Sequence, residues 1–143
     1  MTIKIKRFDK SLPLPEYKTS GAAAFDLHAR EKLVIKARSV GYAKLNIALE
    51  IPEHCFVLMS ARSSLHKKGL MMANGIGIGD ADYCGDQDEY QAALFNFSEQ
   101  EVTIEKGERI VQAIILEREK IILQEVDLLE NKNRGGFGST GQK

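Results

Sequence analysis

The residues able to do chemistry fall into three stretches. Asp80, Asp82, Asp86, Asp88 and Glu89 crowd one segment together with Tyr83. Clustered carboxylates can bind a divalent cation, directly or through water, and one of them can act as general base toward a water. The spacing does not fit an EF-hand loop, which needs Gly at its sixth and Glu at its twelfth position. Taken alone, a solvated acidic hairpin accounts for most of these carboxylates. The second stretch is Ser60-Ala-Arg62-Ser63-Ser64. Arg offers a permanently charged, bidentate fork for phosphate, and Ser adds short donors. By itself the stretch is better explained as a helix cap beside a surface arginine. The third is Gly135-Gly-Phe137-Gly138-Ser139-Thr140-Gly141. Gly-rich backbone can wrap N–H groups around an anion. Gly136 to Gly141 has the GxxxxG spacing of a phosphate loop, but Gln142 follows where that motif needs Lys. Composition alone describes a frayed terminus; Phe137 argues for docking.

Short strands must position these groups. Leu45, Ile47, Leu49 and Ile51 alternate with Lys44, Asn46, Ala48 and Glu50, as in a strand with one polar face. Cys55–Met59 reads as a strand buried on both faces, and 92–97 and 110–116 look similar. Val102 and Ile104 alternate with polar residues, and Lys106-Gly107 then turns. Helix signals are few: Ser63 or Ser64 can cap a turn over Leu65–Lys68 that ends at Gly69. The stretch 118–131 is ambiguous and is read as strand. Gly75, Gly77 and Gly79 punctuate a strand-like run, a sign of close backbone approach. Strands and turns at this spacing predict an all-β sandwich or barrel.

The chain has 143 residues, enough for one domain with its own core. Its 20 Lys+Arg balance 20 Asp+Glu, which argues against a general nucleic-acid binder. Its two cysteines and three histidines lack zinc-site spacing. Without an apolar leader or a run of 18 apolar residues, the expectation is a soluble, cytoplasmic protein with no membrane partner. Cys84 is expected to be a small core-facing residue.

Five short motifs stand in one order. They are the lead-in LPLPEYKTSGAAAFDLHA with Asp26, then Ala61-Arg-Ser-Ser-Leu65, then Gly77-Ile-Gly-Asp80-Ala-Asp-Tyr83-Cys-Gly85. Gly107-Glu-Arg-Ile-Val-Gln112 and the terminal Gly135–Gly141 complete the set. From Leu12 to Gly141 the chain resembles the trimeric deoxyuridine triphosphate nucleotidohydrolase (dUTPase) family. The resemblance implies a jelly-roll-like β fold with a β-hairpin substrate site. It implies a β domain over 1–131 and a flexible Gly-rich arm over 132–143 that closes a neighbouring subunit's site in a homotrimer. It implies hydrolysis of dUTP to dUMP and pyrophosphate, with Asp80 as general base toward the attacking water. Asn74 and Gly77 would read uracil through backbone, and Tyr83 would pack under deoxyribose. Arg62, Ser63, Ser64 and Gln112 would contact phosphates. Phe137, Gly138, Ser139 and Thr140 would cover base and γ-phosphate from the arm. Asp26 would support Mg²⁺ indirectly, through water.

Several positions depart from the family pattern. Ala24 and Ala61 replace a Gly and a Pro, and Lys132-Asn133 stand where Arg-Gly would open the last motif. Gly79 stands where a branched apolar residue usually precedes the Asp. Its missing side chain is expected to loosen Asp80 and to remove buried area, about 1–3 kcal/mol, which Ile at 79 would restore. Gln87-Asp88-Glu89 form an insertion with no assigned role. Two other functions remain open on the same fold: a non-catalytic deoxynucleotide-binding or regulatory protein, and a dCTP deaminase-type enzyme.

Overall fold

The computed structural model describes residues 2–136, so Phe137, Gly138, Ser139 and Thr140 lie outside the described residues. The elements are β1 (Lys4–Arg7), β2 (Phe25–His28), β3 (Leu33–Ile35), β4 (Val40–Lys44), β5 (Ile47–Glu50), β6 (Cys55–Ala61), β7 (Leu70–Met72), β8 (Gly77–Gly79), β9 (Gln91–Asn96), β10 (Val102–Ile104) and β11 (Arg109–Glu117), with a 3₁₀ turn at Leu65–Lys68. The expected all-β class is what forms. A four-stranded sheet runs β2-β11-β6-β8 and a three-stranded sheet runs β4-β9-β7. Two ribbons, β1-β5 and β3-β10, complete the jelly-roll-like body. Every pairing is antiparallel.

One core joins these layers. Leu27, Val57, Val111 and Ala113 come from the four-stranded sheet, Ala43, Leu70, Ala92 and Leu94 from the three-stranded sheet, and Ile35, Ile47, Leu49 and Ile104 from the ribbons. Asn96 is fully buried, yet its amide donates to the carbonyls of Ile35, Lys36 and Gln100 and its oxygen accepts from Ser98. A buried amide is tolerated when its bonds are made in this way.

Four local expectations are corrected. The run from Leu45 to Ile51 is not one strand with a polar face, because Asn46 breaks it at φ 66°. Asn46 is buried and takes a hydrogen bond from Asp9 N, and Ala48 is buried too. Strand β6 is buried on one face only: Cys55, Val57 and Met59 point inward while Phe56 and Leu58 stay half-exposed. β9 alternates likewise, whereas β11 beyond Ala113 is half-exposed or exposed throughout. The predicted strand within 118–131 is absent, since ladder pairing stops at Glu117 and 118–136 hold no strand. Ile122 and Leu123 there are almost fully exposed, so neither ladder pairing nor burial holds that segment as a strand. The 3₁₀ turn does end at Gly69, at φ 79°, though the Ser64 side chain makes no cap bond.

Candidate active site

Asp26, Arg62, Ser63 and Gln112 line one cleft and Asp80 and Tyr83 a second, while Ser64, Asn74 and Gly77 line neither. The first lies at one end of the four-stranded sheet and has a volume of about 220 Å³. Lys18, Ala22, Ala24, Asp26, Arg62, Ser63, Arg109 and Gln112 line it. Asp26 on β2 faces Gln112 on β11, which in turn faces Ser60 on β6. A β-bulge decides what else arrives there. Arg109 pairs with His28, but Val111 already pairs with Leu27, so Ile110 is the extra residue. Strict alternation would send Arg109 and Gln112 to opposite faces. The bulge buries Ile110 and Val111 together and turns Arg109 and Gln112 to the same side.

Asp26 is buried, and its two oxygens take Arg62 Nε at 2.8 Å and Arg109 Nη1 at 2.9 Å. Arg62 also donates to the Arg109 carbonyl at 3.3 Å. Gln112 Nε2 donates to Ala61 O at 3.2 Å. Two forks are thereby fixed beside Ser63 while both stay partly solvated. Arg109 and Lys18 were not among the sequence-selected residues. The signal for Arg109 was present in Gly107-Glu-Arg-Ile-Val-Gln112, but its direction depends on the bulge. Ser64 is exposed at the start of the 3₁₀ turn.

His28 sits behind this cleft, buried at 7% exposure. Burial first, then the charges of Lys18 and Arg109, push its pKa below the ordinary value. Among the described residues no cluster of three His, Cys, Asp or Glu side chains can hold a metal. With Asp26 facing two guanidiniums, the donors of this cleft suit an anion. A divalent cation fits only if it arrives with phosphate and water ligands of its own.

The second cleft, about 290 Å³, is lined by Met59, Ile78, Gly79, Asp80, Tyr83, Glu89, Tyr90 and Gln91. Asp80 follows β8 and is exposed. Tyr83 Oη donates to the Glu89 carbonyl at 3.0 Å, and its ring meets Tyr90 edge-on at 5.4 Å. Burial raises the Tyr83 pKa and pushes that of Tyr90 up to about 12, so both remain neutral phenols near neutral pH. Asn74 is exposed in the Ala73–Ile76 turn, where Gly75 has φ 73°. This turn joins strands with different partners, β7 on β9 and β8 on β6. Gly77 is buried and faces inward, where an added Cβ would come within 2.8 Å of Met59 Cε.

Asp80, Asp82 and Asp86 are exposed, as a solvated acidic segment would leave them, and Glu89 is the exception. Glu89 is buried and accepts from Arg30 Nε at 2.8 Å and Asn46 N at 3.0 Å. It ties the loop after Tyr83 to the core. Cys84, expected to face the core, is exposed. The reading of Gly79 is also corrected. A Cβ on Gly79 would lie 2.5 Å from Tyr90 Cε1 and 2.6 Å from Tyr90 Oη. The buried area expected to be lost there is already filled by the Tyr90 ring, and Ile at 79 would clash with it.

The dUTPase family matches residues 10–141 of this chain. The chain belongs to the dUTPase family. A deoxyuridine 5'-triphosphate nucleotidohydrolase of Hydrogenobaculum sp. is 40% identical over 147 residues, covering 100% of each chain. One from Helicobacter pylori is 35% identical over 144 residues, 99% of this chain and 97% of that one. The dUTPase of Staphylococcus bacteriophage 80alpha, solved with dUPNHPP, superimposes with a TM-score of 0.86 at 25% identity, over 98% of each chain. The dUTPase relatives thus span the described strands and the terminal Gly-rich motif alike. Among the described residues no helix is long and apolar enough to cross a membrane.

Two consequences are measurable. Asp26→Ala should destabilise the protein by about 2–3 kcal/mol, since it strands two arginines that are only partly solvated; a thermal or urea midpoint checks this. The lowered folded pKa of His28 means that the unfolded chain takes up its proton first. That contribution to stability is fully present above the unfolded value near 6.5 and is lost as pH falls toward and through the folded pKa. Unfolding midpoints measured from pH 8 down to pH 5 should drop for wild type and drop less for His28→Gln.

Proposed function

We propose that the chain is a dUTP diphosphatase, hydrolysing dUTP to dUMP and pyrophosphate by attack of water on the α-phosphorus. The observation carrying the reading is the pairing of an anion cleft, built from Arg62, Ser63, Arg109 and Gln112, with a carboxylate-and-tyrosine cleft at Asp80 and Tyr83. Asp80 is the general base: it is exposed, carries no ion pair among the described residues, and can take the proton of an attacking water. Tyr83 is the deoxyribose shelf. Its ring is held at the hydroxyl by Glu89 O and at the edge by Tyr90, so it resists displacement by an added 2′-hydroxyl. The Asn74–Gly77 backbone is the uracil reader; fixed N–H and C=O groups leave a wrong base with unpaired polar atoms. Mg²⁺, carried by the triphosphate, would neutralise phosphate charge and touch Asp26 only through water. Phe137, Gly138, Ser139 and Thr140 would complete the site from an arm over 132–143.

The same reading makes the protein a homotrimer whose sites are shared between subunits. Its support is threefold. The two clefts are separate on one chain. The outer face of the four-stranded sheet is apolar, because Phe56 and Leu58 on β6 lie beside Leu116, Ile114 and Ile78. Beyond it, Ile122, Leu123, Leu128 and Leu129 are exposed. Apolar surface on this scale marks a place for a partner. The non-catalytic alternative leaned on Gly79 and Lys132; the Tyr90 ring fills the space beside Gly79. The body has no cysteine–histidine metal cluster among the described residues, and the functional reading needs none.

With Mg²⁺, the protein should release pyrophosphate from dUTP and far less from dCTP, dTTP or UTP, without ammonia. Asp80→Asn should lower kcat by about 10²–10⁴-fold. Ammonia release from dCTP would support the deaminase reading; tight dUTP binding without turnover would support the regulatory one. Shared sites make a further prediction. Asp80→Asn and Arg62→Ala should each be inactive, yet regain activity when co-refolded, because some mixed sites then hold both intact residues. Failure to complement would place both clefts' work within one subunit.

A further inference from the structure

Gly79 and Tyr90 occupy one volume between them. The ring of Tyr90 sits where the side chain of residue 79 would be, with Cε1 2.5 Å and Oη 2.6 Å from an added Cβ. Tyr90 is 3% exposed. Its backbone is anchored from both sides, its N–H on Ile47 O at 2.9 Å and its carbonyl on Leu45 N at 2.9 Å. The preceding residue, Glu89, is fixed by Arg30 and by Asn46 N, and its carbonyl holds the Tyr83 hydroxyl. The ring therefore rests on a rigid base, under the backbone next to Asp80 and edge-on to Tyr83.

We infer that Tyr90 is a positioning residue for both Asp80 and Tyr83, its ring supplying from just before β9 the packing that Gly79 cannot supply from β8. The inference rests on the reading of Asp80 as base and Tyr83 as sugar shelf. The Tyr90 hydroxyl is buried without a hydrogen-bond partner among the described residues. Such a group lowers stability, so the ring, and not the hydrogen-bonding capacity, is what the site uses. A base displaced by about 1 Å can cost on the order of 10²-fold in rate. Loss of the ring should thus be read in kcat of folded protein and not only in the unfolding midpoint.

The test exchanges the source of the side chain. Tyr90→Ala should lower kcat for dUTP by about tenfold or more, with a smaller rise in KM. Tyr90→Phe should keep kcat within about threefold of wild type and raise the unfolding midpoint, since the unpartnered hydroxyl is gone. Gly79→Ile alone should overpack, lowering the midpoint by roughly 3 °C or more. The double variant Gly79→Ile/Tyr90→Ala should then surpass both single variants in kcat, because one side chain again fills the shared volume. A Tyr90→Ala enzyme with wild-type kcat, or a double variant no better than the singles in folding and kcat, would overturn the inference. Where a single variant does not fold, Tyr90→Phe and the double variant decide it by the same criteria. Wild-type protein that releases no pyrophosphate from dUTP would instead overturn the functional reading beneath it.

Discussion

One buried carboxylate organises the anion cleft. Asp26 on β2 holds Arg109, at the start of β11, and Arg62, which directly follows β6. Two guanidiniums this close repel each other, and both would swing to solvent without a counter-charge. The carboxylate removes the repulsion and sets their direction. It can do so only because the bulge at Ile110 turns Arg109 to the face that Gln112 already occupies. The side of the sheet on which Arg109 stands therefore depends on a single extra residue in one strand.

The second cleft is stabilised by different means. Glu89 is buried against Arg30 and a backbone N–H, and from there the Tyr83 hydroxyl and the Tyr90 ring are set. A buried carboxylate needs such partners. The chain meets that need while tying the loop after Tyr83 to Arg30 and to the backbone just before β5. The space beside Gly79 is filled by the ring of Tyr90, just before β9, so a single-position comparison misjudges it. The two clefts share no side chain, and their joint use falls to the proposed assembly, toward which the apolar outer face and the exposed 118–136 segment both point.

Much of this was legible in the residues. Period-two alternation and turn residues indicated an all-β body, and Gly69, Gly75 and Gly107 mark turns at positive φ. Asp26, Arg62, Ser63, Asp80, Tyr83 and Gln112 do line clefts. Other features were not legible, for identifiable reasons. Phe56 and Leu58 are apolar and half-exposed, so hydrophobicity alone suggested burial on both faces. Ile121-Ile122-Leu123 has strand-like composition but no ladder partner among the described residues. Asn46 and Ala48 looked outward by alternation, yet a positive φ at Asn46 breaks the period.

The sequence by itself determined the class of fold, the order of the motifs and the types of group available for chemistry, because periodicity, turn residues and charge are local properties. Tertiary structure alone decided which groups meet. The bulge that aligns Arg109 with Gln112, the burial of Glu89 and the filling of Gly79's space by Tyr90 each depend on contacts between strands distant in sequence. No local pattern encodes such contacts, since the same residues would satisfy the same propensities in another register.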